Sequence, residues 1–198
     1  MSANLNTPFP ELIRRIKDEG IVQGNDILKI DHFLNHRIEP SFMQRMAKEI
    51  ALRLRDYKPE LILTAEASGI APGLMVALEL DLPLVYAKKY HPEVEVPMLS
   101  RVLPSPTKGG SYRMVLSQKY LPEGAKVAIV DDFLSNGRTA TALIEMAREA
   151  RLDVVAASFL VAKTFKQGYR EIAAAGVPVV TLADVEALRD GKAIIRES

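Results

Sequence analysis

Two adjacent carboxylates, Asp131 and Asp132, stand between the apolar run Lys126 to Val130 and a polar turn, Ser135-Asn136-Gly137-Arg138-Thr139. An alanine-rich stretch with helical spacing follows. A strand, turn and helix in this order can aim several backbone N–H groups and hydroxyls at one point. That point lies at the positive end of a helix dipole, where a phosphate binds. The paired aspartates at the strand's carboxyl end can meet sugar hydroxyls, or the waters of a divalent cation beside that phosphate. Phosphate, sugar and metal together suggest a phosphorylated ribose. The plainer alternative has one carboxylate capping the helix and the other in solvent. Side-by-side like charges cost stability unless a cation or hydrogen-bond donor offsets them, which favours the ligand reading.

Glu66-Ala67-Ser68-Gly69-Ile70-Ala71-Pro72 repeats this logic: a strand end, small residues, a glycine turn and a helix start. Ala67, Ser68 and Gly69 leave room for an anion to approach the backbone amides. Taken alone the segment reads as an ordinary strand-to-helix turn. Two such turns in one sheet suit a ligand with phosphate at both ends. Lys88-Lys89 follows the next expected strand; a lysine pair is usually solvated, but Lys88 beside an anion turn could neutralise it. Lys163 follows a further strand, where a surface role is the ordinary one. Asn35, between Leu34 and His36, reads on its own as a turn residue.

The elements that must position these groups alternate along the chain. Helices are expected over Glu11–Glu19, Ser41 to about Arg55, Ala71–Leu80, Thr139–Ala150 and Tyr169–Ala175, the second opened by a capping box of Ser41 and Gln44. Strands are expected over Leu61–Glu66, Leu84–Lys88, Lys126–Val130, Val154–Val161 and Val177–Leu182. Strands alternating with helices imply a mostly parallel sheet flanked by helices, with sites at the strands' carboxyl ends. Glu66, Lys88, Asp131 and Lys163 all fall at or just beyond such ends. Residues 91–117 break the alternation with Pro92, Pro97, Pro104, Pro106, Gly109 and Gly110. They read as a mobile hairpin able to close over a site, with Lys108 and Arg113 near its tip, or else as a passive insertion.

Composition sets the limits. A chain of 198 residues builds one sizeable core, and 48% hydrophobic with 26% charged residues is the balance of a globular protein. A formal charge of +1 argues against a broad nucleic-acid surface and leaves room for a local cationic pocket. The chain has no cysteine, which excludes disulfides and thiolate chemistry; His32, His36 and His91 have no zinc-like spacing. No run approaches a membrane span, and the N-terminus lacks a secretory pattern, so a cytoplasmic location is expected.

The stretch Val127 to Thr141 resembles the 5-phosphoribosyl-1-pyrophosphate (PRPP) signature of type I phosphoribosyltransferases, with Phe133-Leu134-Ser135-Asn136-Gly137 where many members carry a threonine–glycine turn. Leu28 to Pro40 resembles the N-terminal hood of the xanthine phosphoribosyltransferases. The likeness runs from about Ile13 to Gly191. It departs from that pattern at Arg138, where glutamine is familiar, and at Ala65-Glu66-Ala67. The resemblance implies the α/β type I phosphoribosyltransferase fold as a single domain over 1–198, with a hood at about 20–40 and a flexible hairpin loop at about 90–117. It implies base contacts from Leu28, Asn35, Lys163 and Phe165, and a 5′-phosphate site at Ser135, Asn136, Gly137, Arg138 and Thr139. A pyrophosphate site follows at Ala67, Ser68, Gly69 and Lys88, with Lys108 and Arg113 acting on loop closure. Asp131 and Asp132 take the catalytic place. Mg2+ would arrive with PRPP, without direct protein ligands, and could be reached through water by Asp131 or Asp132. A homodimer is the family expectation.

The activity so implied is transfer of a phosphoribosyl group from PRPP to xanthine in purine salvage. Two alternatives stand beside it: the same chemistry on hypoxanthine or guanine, and a PRPP-sensing regulator of the same fold. The near-neutral charge and the hood-like N-terminal segment weigh against the regulator. No nucleic acid or membrane is expected as a partner.

Overall fold

The computed structural model describes residues 5–89, 98–104 and 110–198; Lys108, His91 and the loop tip around them lie outside these residues. Five helices and ten strands appear among them. Helix α1 (Pro10–Glu19) starts with a proline, whose missing N–H matters least in a first turn, and buries Leu12, Ile13 and Ile16. An antiparallel ribbon follows, β1 (Ile21–Gln23) and β2 (Ile27–Lys29). Helix α2 (Pro40–Leu54) corrects the expected capping box. Glu39 occupies the cap position and Pro40 the first turn, with no side-chain cap, so Ser41 is already helical. The fixed φ of Pro40 is preorganised for that first turn. Gln44 donates instead to Glu79 Oε1 at 3.3 Å.

From here strand and helix alternate: β3 (Leu61–Ala65), α3 (Ile70–Leu80) and β4 (Leu84–Ala87). A hairpin of β5 (Met98–Pro104) and β6 (Ser111–Ser117) interrupts the alternation. It resumes with β7 (Lys126–Leu134), α4 (Arg138–Glu149), β8 (Asp153–Lys163), α5 (Gly168–Ala174), β9 (Val179–Arg189) and β10 (Lys192–Ile195). The six-stranded sheet has the order β10-β9-β8-β7-β3-β4. All neighbours run parallel except β10, which turns back on β9. The expected last strand, Val177–Leu182, thus begins two residues late, runs on to Arg189 and has a partner, because the Asp190-Gly191 turn, with both residues at positive φ, closes a hairpin.

Period-two alternation splits the sheet's apolar residues between its faces. Ile62, Ala128 and Val130 join α1, α2 and α3 in one core; Leu61, Leu63, Val127 and Ile129 join α4, α5 and the hairpin in the other. Strand β7 is longer than expected. Its extended backbone continues through Asp131, Asp132 and Phe133, so the carboxylates sit within the strand's last turn of pleat rather than after it.

Arg53 fastens the first layer to the sheet from inside. It is 3% exposed. Its Nη1 donates to the carbonyls of Thr181 at 2.6 Å and Leu5 at 3.1 Å, its Nη2 to Thr7 at 2.8 Å, and both Nε and Nη2 to Glu49. Removing it strands Glu49 and three carbonyls together. Arg53→Ala is expected to lower unfolding stability in urea by about 3 kcal/mol, with the N-terminal segment losing hydrogen-exchange protection first; an unchanged midpoint would show that the contacts carry no net stability.

Candidate active site

The parallel strands deliver their carboxyl ends to one rim of the sheet. At the centre of that rim, Asp131 and Asp132 are 8% and 5% exposed. Asp132 accepts from Asn35 Nδ2 at 2.6 Å and from Ser68 Oγ at 3.0 Å. The main-chain N–H of Phe133 also donates to Asp132 Oδ1, and that of Asp132 to Asp131 Oδ1, each at 2.9 Å. Burial pushes the Asp131 carboxyl well above its ordinary range, and the neighbouring Asp132 charge pushes the same way; the Asp132 amide and the Lys89 charge oppose this more weakly. The site therefore disfavours the charged form of Asp131.

A cavity of about 230 Å3 opens beside it, walled by Asp131, Phe133, Leu134, the turn Ser135 to Ala140, and Pro104 and Tyr112 of the hairpin. Gly137, at φ +76°, bends the turn into α4, whose first residues are Arg138 and Thr139. All five residues of the expected phosphate turn thus border one hollow at the start of a twelve-residue helix.

The second turn, Glu66–Gly69, lies against the same aspartates. Ser68 reaches Asp132, and Gly69 passes so close that a Cβ would stand 2.2 Å from Thr64 Oγ1 and 2.6 Å from Asp131 Oδ1. Thr64 Oγ1 is buried there with no hydrogen-bond partner among the described residues. The Glu66 carboxylate accepts from the main-chain N–H of Lys89.

The two lysines after β4 separate. Lys88 is bridged to Val115 of the hairpin by two main-chain hydrogen bonds of 2.8 Å. It lines a different groove, of about 670 Å3, with Tyr86, Met98 and Tyr120. Lys89 is the one whose charge acts on Asp131, and its Nζ stands 5.2 Å from the Tyr112 ring centre. Alternation along an extended chain explains the swap. The same parity governs the hairpin: Tyr112 lines the cavity, whereas the next residue, Arg113, is exposed and donates to Ser100 Oγ at 3.2 Å. Lys89 and Tyr112 thus border Asp131 and its cavity, a placement that the sequence did not single out.

The hood residues divide likewise. Asn35 lies in a turn closed by the Asp31 carbonyl, which accepts from His36 and Arg37 at 2.9 and 3.0 Å. Arg15 braces that segment: its guanidinium lies 4.2 Å from the Phe33 ring centre and 4.9 Å from that of Phe42, while pairing with Glu19 and Glu39 at 2.6 Å each. Leu28 is buried and belongs to the first core, as do Ile30, Phe33 and Leu34. Lys163, the last residue of β8, donates from Nζ to the Asp26 carbonyl at 2.6 Å, and Lys166 pairs with the Asp26 carboxylate. Burial lowers the Lys163 pKa, with the Asp26 charge opposing. Lys163 Nζ also stands 5.9 Å from the centre of the Phe133 ring. Phe165, the expected base neighbour, packs against the first core and faces Lys166. Simple alternation along the strand does not place Phe133, which packs on the first core with Ala128 and Val130 while Leu134 joins the second.

Residues 31–178 match the family described as the phosphoribosyl transferase domain. A xanthine phosphoribosyltransferase of Chloroflexus aurantiacus is 52% identical over 188 residues, covering 95% of this chain and 89% of that protein. One of Geobacillus thermodenitrificans is 39% identical, with 91% and 94% covered. Among solved structures, adenine phosphoribosyltransferase of Saccharomyces cerevisiae superposes with a TM-score of 0.72 at 22% identity, over 88% of this chain and 99% of that one. That of Thermoanaerobacter pseudethanolicus gives 0.65 at 24%, over 74% and 82%. At such identities these two speak for the fold alone. The chain belongs to the phosphoribosyltransferase family, in its xanthine phosphoribosyltransferase branch.

Proposed function

We propose that this enzyme transfers the 5-phosphoribosyl group of PRPP to xanthine, giving xanthosine 5′-monophosphate and pyrophosphate in purine salvage. The observation that carries the reading is the single cavity that Asp131 shares with the turn Ser135 to Thr139. In this reading the turn and the first amides of α4 hold the 5′-phosphate, and Ala67, Ser68, Gly69 and Lys89 hold the pyrophosphate. Asp131 and Asp132 steady the ribose hydroxyls. The base sits between Asn35 and Lys163, with Phe133 against its face. The amide of Asn35 offers both donor and acceptor, and the ammonium of Lys163 donates to an oxopurine oxygen.

The reaction forms a bond from base N9 to ribose C1 as the C1–O bond to pyrophosphate breaks. Charge builds on the ribose ring and on the departing oxygens, so the chain acts by positioning and electrostatics, without a nucleophile of its own. Among the described residues no group of three or more acidic, histidine or cysteine side chains is placed to hold a metal. The two buried aspartates alone fit an ion that brings most of its oxygen ligands from PRPP and water. Mg2+ carried with PRPP would lessen the negative charge of the leaving pyrophosphate.

A homodimer in the cytoplasm completes the reading. Support for the dimer comes from the sheet edge: among the described residues the strand β4 pairs only with β3, the hairpin joining just past its end at Lys88, and Tyr86 on it and Leu74 and Leu78 on α3 are exposed.

Turnover is the direct test. Protein, Mg2+, PRPP and xanthine should yield nucleotide and pyrophosphate, faster than with hypoxanthine or guanine; absence of product with every purine would sink the proposal. Asn35→Ala and Lys163→Ala should raise KM for xanthine about tenfold while moving KM for PRPP by no more than about twofold. Replacing the two lysines separately distinguishes their faces. Lys89→Ala should raise KM for PRPP by about tenfold, and Lys88→Ala should leave it near the wild-type value; the reverse order would restore Lys88 to the pyrophosphate site.

Asp131 also gives a pH signature. Its proton is held more tightly in the folded than in the unfolded chain, so the folded state loses stability as pH rises from the ordinary carboxylate value through the raised one. Asp131→Asn should therefore raise Tm at neutral pH, lose that advantage near pH 4, and lower kcat by about a hundredfold. A gain that is the same at both pH values would show that the charge is not its cause.

A further inference from the structure

One residue outside the donor signature bears directly on the phosphate turn. Gly168 opens α5, and its N–H donates to the Ser135 carbonyl at 3.2 Å. A Cβ on Gly137 would stand 2.7 Å from Gly168 Cα. A Cβ on Gly168 would stand 2.5 Å from both Gly137 N and Ser135 O, and 2.8 Å from the Asn136 carbonyl carbon. All of these neighbours are main chain, so no change of rotamer relieves the contact. Gly168 has no positive φ to demand glycine, unlike Gly124, Gly176 and Gly191, where a Cβ meets nothing. It is glycine for room, and the room is filled by the turn.

We infer that Gly168 is a positioning residue for the donor's 5′-phosphate: its bare backbone seats the Ser135–Gly137 turn so that the turn's amides face the cavity. This rests on the donor-site reading given above. The connection is also short. Lys163 and Gly168 are five residues apart, across a turn in which Lys166 N–H donates to the Lys163 carbonyl at 2.9 Å. The chain that carries the proposed base lysine therefore ends on the phosphate turn. Because a methyl group needs normal contact distance, Gly168→Ala must displace the turn by close to an ångström, or about the error that costs a positioned group up to 100-fold.

The test compares Gly168→Ala with Gly176→Ala, a control two residues past the far end of the same helix, where a Cβ meets no atom and only the positive φ costs stability. In Gly168→Ala, KM for PRPP and the Kd for ribose 5-phosphate by titration calorimetry should each rise about tenfold or more. At saturating PRPP, kcat should stay within about threefold and KM for xanthine within about twofold; Gly176→Ala should leave all four near wild type. An unchanged KM for PRPP, or an equal rise in both KM values, overturns the inference. Wild-type protein supplies a second reading that does not depend on the variant folding. Saturating ribose 5-phosphate should slow amide exchange at Gly168 together with the turn at 135–139, and xanthine alone should not. Exchange at Gly168 that ignores ribose 5-phosphate overturns the inference, whereas a wild-type protein that fails to bind ribose 5-phosphate refutes the donor site itself.

Discussion

Two carboxylates buried side by side at the end of a central strand are the constraint around which the rest is arranged. Neither would be stable there on packing grounds alone, since burial and mutual repulsion both oppose their charge. The structure relieves Asp132 with an amide, a hydroxyl and a main-chain N–H, and relieves Asp131 hardly at all. Each donor to Asp132 belongs to a different segment: Asn35 to the hood, Ser68 to the first anion turn, Phe133 to the strand itself. One acceptor thus fixes the meeting point of three pieces of chain. The tightness at Gly69 follows, because that turn must come within contact of Asp131 to bring Ser68 to its neighbour. Burial and the neighbouring Asp132 both disfavour the charged form of Asp131, so a cation placed beside it would favour ionisation.

How far these features were legible in the sequence depended on whether they are local. The turn Ser135 to Thr139 could be read as a strand-to-helix turn because strand, turn and helix are contiguous and each has its own signal, down to the glycine at positive φ. The fold class was legible for the same reason. Side-chain direction was not. Lys88 and Lys89 are equivalent in composition, and only the register of the Lys88–Val115 bridge decides which one turns toward Asp131. Tyr112 and Arg113 repeat the lesson on the hairpin, as does Leu28, whose apolar side chain is claimed by the core. A shift of one residue exchanges every side chain between faces, and a sequence carries little that sets it. Gly168 was invisible for a different reason. Its constraint comes from a turn more than thirty positions away, and nothing near it in the chain announces the approach.

The two ends of the site are built with different rigidity. The phosphate turn is clasped by main chain on both sides, with Thr141 N–H donating to the Gly137 carbonyl at 2.8 Å and Gly168 packed behind. The hood is attached by side chains: Lys163 and Lys166 to Asp26, Asn35 to Asp132, Arg15 to Phe33 and Glu39. Several of these bonds are made by groups assigned to ligand. Asn35 and Lys163 already have protein partners, so a base that recruits them must exchange hydrogen bonds rather than gain new ones. Such an exchange gains less than a new hydrogen bond would.

The hairpin completes the enclosure, and its roots limit how it can act. Arg101 on β5 spans Glu145 and Glu149 of α4 at 2.8 and 2.9 Å, while β6 is bridged to Lys88 at the opposite margin. The base of the hairpin is therefore tied both to the helix that presents the phosphate turn and to the strand that presents Lys89. Pro104 and Tyr112, which wall the cavity, sit opposite each other's neighbours in the β5–β6 register. Any rearrangement that moved the hairpin's root would drag the phosphate helix with it. The root is part of the cavity wall, and the strand ends, the turn Ser135 to Ala140 and the hairpin base form one frame beside Asp131.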